Sequence, residues 1–153
     1  MSALVSATAE DVALLPGWLA GREDAVTFAG PVGFPLDVDA LMAEHPSFAL
    51  RREGVCVGFG QVWATDDTTA RIGRILVDPS RRGEGLGRVL VSGLVAAAKE
   101  NFPGATAVTL GVYEQNEAAR RLYTSLGFVE QPERTTTQVA GQVWSAVQMR
   151  RPL

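Results

Sequence analysis

The spacing of apolar residues changes character several times along the chain, and each change marks an element. Val12, Leu15 and Leu19 recur on one helical face, which predicts a helix over Ala9–Ala20 with Thr8 as its cap and Asp11 three positions on. Thr27–Asp37 breaks that rhythm with Gly30-Pro31, Gly33 and Phe34-Pro35, and reads as a turn-rich segment. Irregular segments in compact domains tend to shape binding sites, so Phe28 and Phe34 are candidate pocket walls. A short helix over Leu36–His45 should end at Pro46. Phe48–Arg51 and Val55–Trp63 suggest a hairpin around Glu53-Gly54. Glycines 58 and 60 in its second strand signal a bulge or a close approach. After a turn at Asp66-Asp67, Thr69–Val77 reads as a strand. Without a bulge, Ile72 and Leu76 share one face, and Arg71, Ile75 and Val77 the other.

From Gly85 to Phe102 the period becomes helical: Leu86, Leu90, Leu94 and Ala97 or Ala98 form one stripe, and Pro103-Gly104 closes it. Ala107–Val112 is a β-rich run. Glu117–Leu126 is a second helix, capped by Asn116 and ended by Gly127. Phe128–Gln131 and Gln142–Met149 finish as strands around a polar turn region; the last strand could be internal or pair across a homodimer. Helix, strands, helix, strand, helix, strands is the order of one α/β domain over residues 1–153, a mixed sheet with helices on its faces.

Composition narrows the class. A chain of 153 residues with 46% hydrophobic and 20% charged residues can bury a core of its own, unlike a disordered chain. The net charge of -3 is uneven: residues 1–75 hold 5 basic and 10 acidic side chains, residues 76–153 hold 9 and 7. The second half therefore suits an anionic ligand, and the first is compatible with an amine. Beyond Arg81-Arg82 there is no basic stripe, which argues against nucleic acid. One Cys and one His rule out a Cys/His metal cluster, and Cys56 in Val55-Cys56-Val57 should be a buried thiol. Nothing resembles a signal peptide and no apolar span reaches membrane length, so the expectation is a cytoplasmic protein without membrane attachment.

The densest chemical signal lies where Ile75-Leu76-Val77 runs into Asp78-Pro79-Ser80-Arg81-Arg82-Gly83-Glu84-Gly85-Leu86-Gly87. A strand entering a glycine-rich turn that opens a helix offers unpaired N–H groups and the positive end of a helix dipole to an anion. Glycines 83, 85 and 87 allow backbone approach, and Arg81 and Arg82 add charge. A P-loop would need Lys and Ser or Thr after its last glycine, where Arg88 and Val89 stand. A dinucleotide fingerprint would need glycine where Arg88 is.

Arg82-Gly83-Glu84-Gly85-Leu86-Gly87 resembles the coenzyme A loop Arg/Gln-x-x-Gly-x-Gly/Ala of the GNAT superfamily, which is related to histone and aminoglycoside N-acetyltransferases. A second segment is similar to that family's Asn-x-x-Ala-x-x-x-Tyr-x-x-x-Gly-Phe, at Asn116, Ala119, Tyr123, Gly127 and Phe128. The resemblance covers roughly residues 75–128. It implies a mixed, mostly antiparallel sheet flanked by helices, and acetyl-CoA as co-substrate with no metal. It also implies an amine-bearing acceptor from a small molecule, peptide or protein. On this resemblance, the backbone of residues 82–87 holds the pyrophosphate, and the strand at Leu76 and Val77 pairs with the pantetheine arm. An N–H near Val77 polarises the thioester carbonyl, Asn116 lies near the arm, and Tyr123 is the candidate general acid. The base is not identified: the strand Arg71-Ile72-Gly73-Arg74-Ile75 has no acid where the family often places one. Glu114 is a candidate, and Arg74 could recognise an acidic group on the acceptor. A coenzyme A binder without turnover is the alternative.

Overall fold

The computed structural model describes residues 1–30 and 33–153, and all its strands join one seven-stranded sheet in the order β1-β2-β3-β4-β5-β7-β6. Its first strand, β1 (Ser2–Ser6), pairs antiparallel with β2 (Ser47–Arg52), Leu4 opposite Leu50. Five residues flanked by serines are too short for their alternation to stand out, and the pattern of apolar positions does not predict β1. Pairing of β3 (Val55–Ala64) with β2 and with β4 (Thr69–Val77) is antiparallel, and β4 with β5 (Ala107–Tyr113) is the sheet's one parallel pair. The sheet is thus mixed and mostly antiparallel, as expected.

The helix expected over Ala9–Ala20 divides into α1 (Ala9–Val12) and α2 (Leu15–Trp18). Pro16 has no N–H to return to Val12, so the helix cannot continue through it. The Thr8–Asp11 capping box does form, and Val12 and Leu15 are both buried. Between the expected first helix and the turn-rich segment, and running three residues into the latter, lies α3 (Arg22–Ala29), with Glu23 and Asp24 in its first turn, where acids favour the helix dipole. It buries Ala25, Val26 and Phe28. The next helix, α4 (Val38–Glu44), is shorter than the predicted span and is capped by Asp37.

One face of the sheet carries α5 (Leu86–Asn101), whose Leu90, Leu94 and Ala98 pack into a core with Val57, Val62, Ile72 and Leu110. The glycines of β3 allow this approach. A Cβ at Gly60 would stand 2.4 Å from Leu94 Cδ1, and one at Gly58 3.2 Å from Leu90 Cδ2. A smaller cluster on the other face joins Phe59 to Leu15, Phe28 and Leu41. Cys56 is buried, and its thiol donates to the Gly58 carbonyl at 3.5 Å.

A bulge corrects the facing expected in β4. Phe59 pairs with Leu76 and Gln61 with Gly73, so two steps of β3 oppose three of β4, and Arg74 has φ +52°. The extra residue reverses the alternation. Ile75 and Val77 therefore join Ile72 on the α5 core, while Leu76 turns to the other cluster. Helix α6 (Glu117–Ser125) is capped by Asn116 as predicted, and Gly127 follows it at φ +92°.

The C-terminal strands are also longer than predicted. β6 (Val129–Val139) and β7 (Gln142–Pro152) form one hairpin through Ala140-Gly141, both at positive φ, so much of the presumed polar turn is strand. Between β5 and β6, β7 is an internal strand rather than one left open for a partner.

Candidate functional site

Strands β4 and β5 pair only at Thr69↔Ala107, Ala70↔Val108 and Arg71↔Thr109. Beyond Arg71, β4 stays paired with β3 as far as Val77, and β5 with β7 as far as Tyr113, but not with each other. Their parting leaves a strand edge facing a gap, and a cavity of about 790 Å³ opens there. Its walls are β4 from Arg71 to Val77, β5 from Leu110 to Tyr113, and residues of α2, α3 and the β6–β7 hairpin.

At the end of β4, Asp78 accepts from the Ser80 N–H and starts a single 3-10 turn, Pro79–Arg81. Gly83 and Gly85 follow with φ of +86° and +76°, and Gly85 is the N-cap of α5. Having no side chain, Gly85 cannot cap the helix, so the amides of its first turn remain free for a ligand. Gly87 also meets a packing constraint that its place in the turn does not reveal. A Cβ there would meet Leu122 Cδ2 at 3.2 Å, so its smallness serves the contact between α5 and α6. Leu86 puts its side chain in the core at 2% exposure, which leaves its backbone to the turn. Glu84 is held by Arg52 at 3.3 Å and Arg81 at 3.8 Å, while Arg82 is exposed and lines the cavity. An open strand edge that can pair with amides, leading to a cationic helix start that can bind phosphates, fits coenzyme A.

Tyr123 is buried on α6, edge-on to Phe128 with ring centroids 6.1 Å apart, and lines the cavity. Burial pushes its phenol up to about 12, because the anion would lose its hydration. Asn116 accepts from the Ala119 N–H at 3.4 Å and borders the same cavity. Leu76, Val77, Arg74 and Phe28 line it too. Glu114 does not: it is exposed and pairs with Arg134 at 3.5 Å. Phe34, 42% exposed, also stands off the cavity wall. In the Gly30-Pro31 pair, Gly30 lines the cavity and Pro31 lies outside the described residues.

Arg74 is already engaged, pairing with Glu44 at 2.9 Å and donating to Gln61 Oε1 at 3.1 Å. Gln61 is fully buried, and its Nε2 donates to the Leu41 carbonyl and to Ser47 Oγ. Its one sequence signal is an amide inside the apolar run Val55–Trp63. Trp63 also lines the cavity and stacks on His45 with centroids 4.1 Å apart. Burial depresses the His45 imidazole, as does the positive charge of Arg74, while Glu44 opposes them. Trp18, Arg71, Thr137 and Gln148 also line the cavity, and Asp24 is the single acidic side chain of its lining among the described residues. Those residues come from segments remote in the chain, and no spacing in the sequence joins them.

Comparison with known proteins places this geometry. Mycothiol acetyltransferase of Thermomonospora curvata is 41% identical over 81 residues, 53% of this chain and 27% of that protein. The L-amino acid N-acyltransferase MnaT of Escherichia coli is 32% identical over 92 residues, 58% of this chain and 52% of that protein. The chain thus matches only about a quarter of the first relative and half of the second. A phosphinothricin acetyltransferase from Sinorhizobium meliloti in complex with acetyl-CoA shares the fold, with a TM-score of 0.74 and 19% identity, over 99% of this chain and 88% of that one. The sequence model of the Acetyltransferase (GNAT) family matches residues 19–128, from the end of α2 through the parted strands and the glycine turn to Phe128. On that match, and with the parted strands and turn in place, the chain belongs to the Acetyltransferase (GNAT) family.

Proposed function

We propose that the protein transfers an acetyl group from acetyl-CoA to an amine of a small molecule, peptide or protein. The observation that carries this reading is the parting of β4 and β5 beside Tyr123, with the glycine turn at the end of β4. Bound acetyl-CoA would supply an acyl thioester open to attack by a neutral amine. The open edge of β4 at Leu76 and Val77 orients the pantetheine arm, and residues 82–87 bind the pyrophosphate through backbone amides and the Arg82 charge. A backbone N–H near Val77 polarises the thioester carbonyl, where negative charge develops.

Tyr123 donates a hydrogen bond to the leaving sulfur. A thiolate of ordinary basicity, pKa about 8.5, does not strip the proton from a phenol held at about 12. The hydroxyl therefore acts chiefly as a donor, and the proton that neutralises the thiolate originates on the amine. Asp24 gives the acceptor side a negative charge that favours an incoming ammonium. With no acid on the cavity-lining part of β4 and Glu114 paired to Arg134, an acceptor that arrives neutral or loses its proton through water needs no dedicated side-chain base.

A thiol-release assay with acetyl-CoA tests this reading across polyamines, amino acids, aminoglycosides and peptide N-termini. Amine-dependent release with a matching acetylated product is expected. Coenzyme A binding without release on any amine would leave the non-catalytic binder as the better account.

A further inference from the structure

Three arginines line the cavity, and their surroundings differ. Arg82 is exposed at the phosphate turn. Arg74 has its counter-ion in Glu44 at 2.9 Å. Arg71 is partly buried on β4 at the last rung before the strands part, on the face opposite the α5 core. Its hydrogen-bond partners are neutral: Nη2 donates to Gln148 Oε1 at 3.0 Å, and Nη1 to Thr109 Oγ1 at 3.4 Å. Among the described residues it forms no ion pair, unlike Arg51, Arg74, Arg120 and Arg134.

The seat around that guanidinium is built. A Cβ at Gly111 would lie 2.8 Å from Arg71 Nη2 and 3.2 Å from Gln148 Nε2, so a side chain there would push the ends of both groups aside. Arg71 keeps three of its five N–H donors after those two bonds. A partly buried cation with neutral partners retains an uncompensated desolvation cost, and burial accordingly lowers the guanidinium from its ordinary pKa while leaving it charged. One anion removes that cost. A single positive charge presenting a planar fork matches a carboxylate in charge and in shape.

We infer that Arg71, held over Gly111 by Gln148, binds a carboxylate of the acceptor, so the acceptor class is amines that carry a carboxylate, amino acids foremost. This inference rests on the acetyl-transfer reading of the same cavity. Trp18, Phe28 and Trp63, which line the same cavity, favour an apolar side chain on that acceptor.

The test is calorimetric titration of the coenzyme A-loaded protein with N-acetyl-L-leucine, N-acetyl-L-methionine and N-acetyl-L-phenylalanine, each beside its carboxamide. At least one acid should bind about tenfold or more tightly than its amide, the scale of a hydrogen bond to a charged group. Arg71→Gln should abolish that preference, and Arg71→Lys should restore part of it. Gly111→Ala, which crowds the guanidinium and keeps its charge, should reduce it too. Coenzyme A affinity in each variant reports that the fold and the donor side are intact. Equal affinity for acid and amide, binding of neither, or a preference that survives Arg71→Gln in a folded protein would each overturn the inference. The acetyl-transfer reading fails separately: an acid preference without thiol release on any amine would retain the carboxylate seat and reject transfer.

Discussion

The proposed donor and acceptor sides of the cavity are built on opposite plans. The donor side is one nearly continuous stretch, from the end of β4 through the turn and α5 to α6, and the proposed coenzyme A contacts are mostly backbone: the β4 edge, Gly83, Gly85 and the free amides of α5. The acceptor side is assembled from side chains of separate segments, with Trp18 and Phe28 from helices, Trp63 and Arg71 from neighbouring strands, and Thr137 and Gln148 from the last hairpin. A backbone site requires particular φ angles and missing side chains, which tie it to a few glycines. A side-chain site can be refitted one residue at a time while the backbone site stays as it is. That difference predicts two groups of variants with separable effects.

Tyr123→Phe should give the largest effect. Loss of the donor to the leaving sulfur is expected to lower kcat about a hundredfold, with coenzyme A affinity unchanged by calorimetry. Because burial holds the phenol protonated up to about 12, the wild-type rate should rise as the amine deprotonates and show no alkaline fall from Tyr123 through about pH 10. A wild-type rate that declined well below that pH, in step with Tyr123 ionisation, would refute the burial argument.

Gly85→Val comes next. A β-branched residue at φ +76° costs on the order of 1–2 kcal/mol and distorts the start of α5. The coenzyme A Kd should rise about tenfold, with the melting transition still cooperative. An unchanged Kd in the folded variant would remove the turn from the binding site. On the acceptor side, Arg74→Ala releases Glu44 and Gln61 and should raise the acceptor KM about fivefold, the value of one hydrogen bond. Coenzyme A affinity should not follow; if it did, the two sides would not be separable. Smallest of all, Glu114→Gln should change kcat/KM by less than about twofold, as for an exposed ion pair outside the cavity. A large loss of rate with a shifted acid limb would make Glu114 a base after all.

The donor side was legible from the chain because its devices are local. Glycine at positive φ, a helix opening after a strand and a cap at Asn116 each leave a mark within a few residues. Even there a packing constraint on Gly87 was hidden, since its neighbour Leu122 lies on another helix. The β4 bulge was equally hidden. Its extra residue at Arg74 is defined by the register against β3, and a strand read alone continues its alternation. Helix α3 and strand β1 escaped for a related reason, being short elements that tertiary pairing and burial hold in place.

Local sequence, then, specified the turn Arg82–Gly87, the helices on either side of β5 and the family to which they belong. Folding alone set Arg71 beside Gln148, 77 positions away, and gave Arg74 a carboxylate while leaving Arg71 without one among the described residues. Backbone conformation is constrained by neighbouring residues, whereas the compensation of a buried charge depends on which distant side chains reach it.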